Sequence, residues 1–208
     1  MSLHVLTVAY PFAPVGPDAV GGAEQIAAAL DAAIVEAGWR STVVACAGSA
    51  VKGTLRAVPA HAGRIEETAR LSVHAHVRAA IDAALMEDEI DIVHLHGIDA
   101  AETLPPTGMP ALLTLHLPVE WYPAALIADP PAGLTLVPVS ASQAADLPAG
   151  SRAVAPIENG VPVAALARAR HARRGFGLVL GRICPEKGVH LALDAAIRAE
   201  IPVIVAGE

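Results

Sequence analysis

The apolar residues of this chain come in short bursts. Residues 3–10 (LHVLTVAY), 41–47 (STVVACA), 91–96 (DIVHLH), 111–116 (ALLTLH), 134–140 (LTLVPVS) and 152–157 (RAVAPI) are strand-length and aliphatic at successive positions. A strand with one solvated face alternates apolar and polar residues, whereas a strand covered on both faces has no such need, so these six segments predict buried strands of a parallel sheet. Helical stretches separate several of them: 22–38, ending on Gly38, 64–88, and a shorter one at 141–147. Alternating strands and helices predict an α/β fold, a Rossmann-like open parallel sheet with its ligand at the carboxyl ends of the strands.

The pattern breaks near residue 163. Residues 163–175 (VAALARARHARRG) are rich in arginine and carry no strand signal, and they read as an interdomain connector or, alternatively, as a surface helix of the first domain. A fresh strand follows at 176–183, then a helix at 188–200 and another strand at 201–207. One βαβ unit cannot cover both faces of its own sheet. The expected organisation is therefore a Rossmann-like domain over 1–162, a connector over 163–175, and the start of a second Rossmann-like domain over 176–208.

Composition narrows the partners. The chain has 208 residues, 54% of them hydrophobic and 17% charged, which favours a dense core over disorder. A formal net charge of -7 with only 14 Lys and Arg, read as containing no basic run, argues against nucleic acid or an anionic membrane as the main partner. Mean hydropathy is +0.50, but much of it is alanine, and no uninterrupted apolar run approaches the ~18 residues of a membrane helix. The amino terminus lacks a basic leader and its apolar run stops at Pro11, so a cytoplasmic protein is expected. Cys46 and Cys184 are too few and too far apart for a disulfide framework and are expected as ordinary core or loop thiols in a reducing compartment.

Three features could carry chemistry. Gly21-Gly22 opens the first helix, where unpaired amides and the helix dipole favour an anion, and glycine lets that anion approach the backbone. The dinucleotide fingerprint is absent: the loop from 11 to 20 follows the first strand, and the second strand ends in Ala45-Cys46-Ala47-Gly48 without an acidic residue. Residues 48–54 (GSAVKGT) resemble a phosphate-binding P-loop only loosely, because Lys52 precedes Gly53.

His94 and His96 share one strand face, and His116 ends the next apolar strand, so all three are expected at the ligand edge of the sheet. Zinc, a satisfied structural cluster and polar contacts to a substrate are the readings open here. His74 and His76 fall within a helix and are expected as surface or capping residues. The third feature is LGRICPEKGVHLALDAA, in which Arg182 follows a strand and Lys187-Gly188 opens a helix, a pair suited to a diphosphate. Trp121 and Tyr122 offer flat faces for a ring, or packing beneath their loop.

Taken in order, GGAEQIAAALDAAIVEAGWRSTVVA, DIVHLHG, TLHLP, VPVSASQAADL, IENGVPV and LGRICPEKGVHLALDAA resemble the successive signatures of family 4 glycosyltransferases of the GT-B fold, across nearly the whole chain. The resemblance implies transfer of a sugar, with retention, from a nucleotide-sugar donor, a UDP-sugar foremost. The acceptor would be a small molecule, a sugar or a lipid, and no cofactor or catalytic metal is implied. It implies Gly21 and Gly22 near the donor phosphates and acceptor, His116 beside the transferred sugar, and Arg182 and Lys187 on the diphosphate. His96, Asn159 and Gly160 complete the expected binding residues, although Pro162 replaces the acidic residue usual after that turn. The paired acidic residues of the family's second domain have no counterpart in 176–208. The chain is accordingly expected to be a fragment, inactive alone and prone to self-association, and a non-catalytic nucleotide- or sugar-binding module is the alternative.

Overall fold

The computed structural model describes residues 2–167 and 175–207. The chain divides into two compact units, Met1–Gly160 and Val161–Glu208. The first contains β1 (His4–Val8), α1 (Gly22–Glu36), β2 (Arg40–Cys46), β3 (Thr54–Val58), α2 (Glu67–Glu87), β4 (Ile92–Leu95), β5 (Ala111–Leu115), α3 (Ala124–Ala128), β6 (Leu134–Pro138) and α4 (Ala141–Ala145). Its six strands form one parallel sheet in the order β3-β2-β1-β4-β5-β6. Leu6, Val43, Val44, Val93, Leu95, Leu113, Leu115 and Leu136 are buried from neighbouring strands, as a sheet covered on both faces requires.

Two strand expectations fail. Residues 152–157 do not form a strand: Arg152 and Val154 bond to Leu136 and a single bridge links Leu136 to Ala153, but the segment is largely exposed and Pro156 has no N–H to continue a ladder. Conversely, β3, TLRAV, is a strand that its short length and charged Arg56 conceal. It is the sheet's edge, and its Arg56 reaches Glu87 at 2.8 Å and Asp88 at 3.3 Å at the end of α2.

The loop before β3 is the one loosely resembling a P-loop. Its amides are already committed, because the buried Asp31 of α1 accepts from the Lys52 N–H at 2.5 Å and the Gly53 N–H at 3.2 Å, and from the Ser41 hydroxyl at 2.6 Å. A phosphate cradle needs those amides free.

The second unit holds α5 (Val163–Leu166), β7 (Gly177–Leu180), α6 (Val189–Ala199) and β8 (Val203–Ala206), with β7 and β8 paired in parallel. Residues 168–174 of the expected connector lie outside the described residues. Leu178, Leu180, Leu191, Ile197 and Ile204 are exposed. Cys46 is a buried free thiol and Cys184 a partly buried one in the loop after β7. Among the described residues no helix is long and apolar enough to cross a membrane.

Candidate functional site

β1 leads through α1 to β2 on one side of itself, while β4 lies on the other, so the direction of winding reverses between β1 and β4. Loops leaving the carboxyl ends of such strands diverge and leave room for a ligand. Gly97 marks how closely the two segments approach: a Cβ there would collide with the Asp99 carboxylate and lie 3.6 Å from the Tyr10 Cα.

Next to this point stand the three histidines. His96 follows β4 and His116 follows β5, and adjacent parallel strands bring His96 Nδ1 to 2.9 Å from His116 Nε2. Their rings are stacked, 5.2 Å between centroids and 21° apart in plane. The His94 ring lies 4.1 Å from that of His96, and its Nε2 meets the Thr114 hydroxyl at 2.7 Å. His96 is 3% exposed, and its Nε2 is buried without a partner.

Burial keeps this array neutral. It lowers the pKa of His94 and of His116 from 6.5 to about 4, with the His116 charge adding to the effect on His94, and it holds His96 well below its ordinary value. Neutral imidazoles are hydrogen-bond donors and acceptors, not electrostatic clamps. Two of the facing nitrogens are spent on each other, and no group of three or more His, Cys, Asp or Glu among the described residues has the geometry to hold a metal ion.

The loop carrying His116 is held from two sides. Ser140 caps α4 by accepting from the Gln143 amide at 3.1 Å, and the Gln143 side chain donates to the Leu115 and Leu117 carbonyls at 2.9 and 2.8 Å. The buried Tyr122 accepts from the Leu117 N–H at 3.3 Å, so this ring packs beneath the loop, while Trp121 is 50% exposed. Gln143 was legible as the fourth residue of a Ser-x-x-Gln cap, but its reach to β5 was not.

At the mouth of α1 the backbone is open and the charge is not. Gly21 is the N-cap, no side chain caps the helix, and the first helical bond runs from the Gln25 N–H to the Gly21 carbonyl at 3.2 Å. Gly22 has open space where a Cβ would sit. At Gly21 a Cβ would collide with the carboxylate of Glu24, which is only 7% exposed and folds back over the glycine. An acid in the first turn complements the helix dipole. A phosphate arriving there would meet that carboxylate first.

A further group went unread in the sequence. His74 is buried rather than at the surface of α2, because its Nε2 pairs with the Asp99 carboxylate at 2.6 Å. Phe12 stands edge-on to His74 at 6.1 Å and to His61 at 6.0 Å, and Tyr10 lies 5.4 Å from Phe12. Burial raises the Asp99 pKa, opposed by the bond to His74, and burial with the nearby Asp99 charge raises that of Tyr10. Contacts across such sequence separations leave no local trace. His76 does lie on the surface, bonded to the Ser72 carbonyl at 2.8 Å.

In the second unit Arg182 is exposed just after β7, and Lys187 is exposed in a turn of 3-10 helix, Pro185–Lys187. Gly188, the N-cap of α6, has φ 64°, a conformation that favours glycine. Between Arg182 and Lys187, Glu186 has its carboxyl held below the usual range by backbone and Cys184 hydrogen bonds, with smaller help from the two cations. Asn159 and Gly160 are exposed at the end of the first unit. The site residues thus fall into groups. His96 and His116 are joined directly, Gly21 and Gly22 lie at the mouth of α1, and Arg182 and Lys187 share one loop of the other unit.

No protein-family model matches the chain, and no curated protein matches it in sequence. Fourteen chains of solved structures do match. One is the catalytic domain of starch synthase IV from Arabidopsis thaliana, bound to ADP and acarbose, at 16% identity and a TM-score of 0.61, with 100% of this chain and 69% of that chain covered. At that identity the likeness establishes the fold, a Rossmann-like α/β architecture of the GT-B type.

Proposed function

We propose that this chain belongs to a glycosyltransferase that moves a sugar from a nucleotide-sugar donor to a small-molecule, sugar or lipid acceptor, with retention, as family 4 enzymes do. The observation that carries the reading is the hydrogen-bonded, neutral His96–His116 pair at the carboxyl edge of the sheet. A neutral imidazole there suits hydrogen bonding to hydroxyl or phosphoryl oxygens of a substrate. The whole-chain likeness to a domain bound to ADP and acarbose supports the same class of ligand.

In this reading Arg182 and Lys187 hold the diphosphate and stabilise the charge it develops as it leaves, an interaction that grows toward the transition state. His116 orients the transferred sugar. The mouth of α1, with Gly21, Gly22 and the Glu24 carboxylate, faces the acceptor hydroxyls rather than the phosphates, and Asn159-Gly160 contributes backbone contacts. A UDP-sugar is the first donor to test and an ADP-sugar the second. No cofactor is required in this reading. Self-association through the exposed apolar side chains of the second unit belongs to the same proposal.

Calorimetric titration with UDP-glucose, ADP-glucose and NAD tests the class. Saturable heat with a nucleotide sugar and none with NAD is the expected outcome. Saturation by NAD alone would replace sugar transfer with dinucleotide chemistry.

A further inference from the structure

The histidine array contains one atom whose state decides what His116 can do. His116 Nε2 is taken by His96 Nδ1 at 2.9 Å, so its Nδ1 is the ring nitrogen left for a ligand. One proton lies between the two rings, and there are two ways to place it. If His116 donates from Nε2, then neutral His96 carries its own proton on Nε2, and that N–H is buried with no acceptor. If His96 donates from Nδ1, the buried Nε2 of His96 is only a lone pair.

Orphaned buried N–H groups are rarer than under-satisfied acceptors. The second arrangement therefore prevails. It leaves His116 with its proton on Nδ1, the tautomer less favoured by free histidine in water.

We propose that His96 is a positioning residue that fixes His116 as an Nδ1–H hydrogen-bond donor toward a ligand oxygen. The hydrogen bond made at one ring nitrogen sets the tautomer at the other. The stacked geometry adds orientation, since a ring held at 21° to its neighbour cannot turn its Nδ1 away without breaking the bond. His94 takes part only indirectly: its Nε2 is engaged by Thr114, and its ring lies tilted 4.1 Å from that of His96. In this arrangement His116 donates a hydrogen bond to a hydroxyl or phosphoryl oxygen and accepts no proton from the substrate. The identity of that oxygen rests on the nucleotide-sugar reading, whereas the tautomer does not depend on it.

The test is long-range proton–nitrogen NMR of the histidine rings in the intact chain, followed by calorimetry with UDP-glucose. In the wild type, His116 should show a protonated Nδ1 and a lone pair on Nε2. In His96→Leu the donor is gone and His116 should revert to Nε2–H, with binding weakened about tenfold. In His96→Gln, whose amide can donate to the same nitrogen, the wild-type tautomer and most of the affinity should return. A wild-type His116 protonated on Nε2 overturns the proposal, even if His96→Leu fails to fold. An Nδ1–H signal without binding of either UDP-glucose or ADP-glucose sustains the tautomer and removes the nucleotide-sugar reading instead.

Discussion

The two units begin from the same local grammar, a parallel strand, a helix and a second parallel strand, and end in different physical states. In the first, six strands share one sheet, and Leu113 on β5 is 0% exposed. In the second, two strands and one long helix leave Leu180 on β7 78% exposed. Aliphatic sequence is not what separates them. Burial is collective: a strand becomes core when neighbours cover both of its faces, and a single βαβ unit supplies cover for part of one.

The candidate ligand groups follow the same division. His96 is buried and His116 half-buried, their rings are stacked, and Gln143 and Tyr122 hold the loop that carries His116. Arg182 and Lys187 are solvated, and their positions are set by a glycine-capped turn rather than by packing. The first group is built for orientation, where small displacements cost most. The second offers charge, which acts at longer range and tolerates motion.

Paired truncations would sharpen or break this contrast. Leu113→Ala should cost about 3 kcal/mol of unfolding free energy, from lost transfer energy and an unfilled cavity. Leu180→Ala should stay within about 0.5 kcal/mol. Urea unfolding of both variants checks the pair, and equal costs would mean that β7 is covered in solution.

Acid should act on the first unit's histidines. The folded-state pKa of His94 and of His116 lies near 4, below the ordinary 6.5, so the unfolded chain binds more protons in between. Stability should therefore be flat above pH 7 and fall as pH drops through that window, by up to about 1.4 kcal/mol per pH unit for each histidine. Thermal unfolding between pH 4 and 8 measures the slope. Replacing His94 by Asn should reduce it.

Much of the fold was legible because a doubly covered parallel strand has a distinctive spelling. Val43-Val44 and Leu112-Leu113 each place apolar residues side by side, and their positions as buried or half-buried strand residues follow. The failures lie where local spelling and tertiary setting part. Arg56 hides an edge strand because its charge is answered by Glu87 of α2, 31 residues away in the chain, and RAVAPI looks like a strand but lacks a second side to bury. The histidine array was legible as a shared sheet edge, since strand ends fix which side chains gather there. Its 2.9 Å bond was not, because nothing local reveals that β4 and β5 are neighbours at that register. Glu24 was unread and His74 misplaced for a related reason: an acid in a first turn and a histidine on a helix are ordinary surface features until Gly21 or Asp99 closes against them.

The most direct test of the diphosphate site is calorimetric titration of UDP into the wild-type chain and into Arg182→Ala/Lys187→Ala. Removing two charge-assisted hydrogen-bond donors together should weaken binding by roughly 10²-fold. Equal dissociation constants for the two proteins would contradict a diphosphate held by that loop.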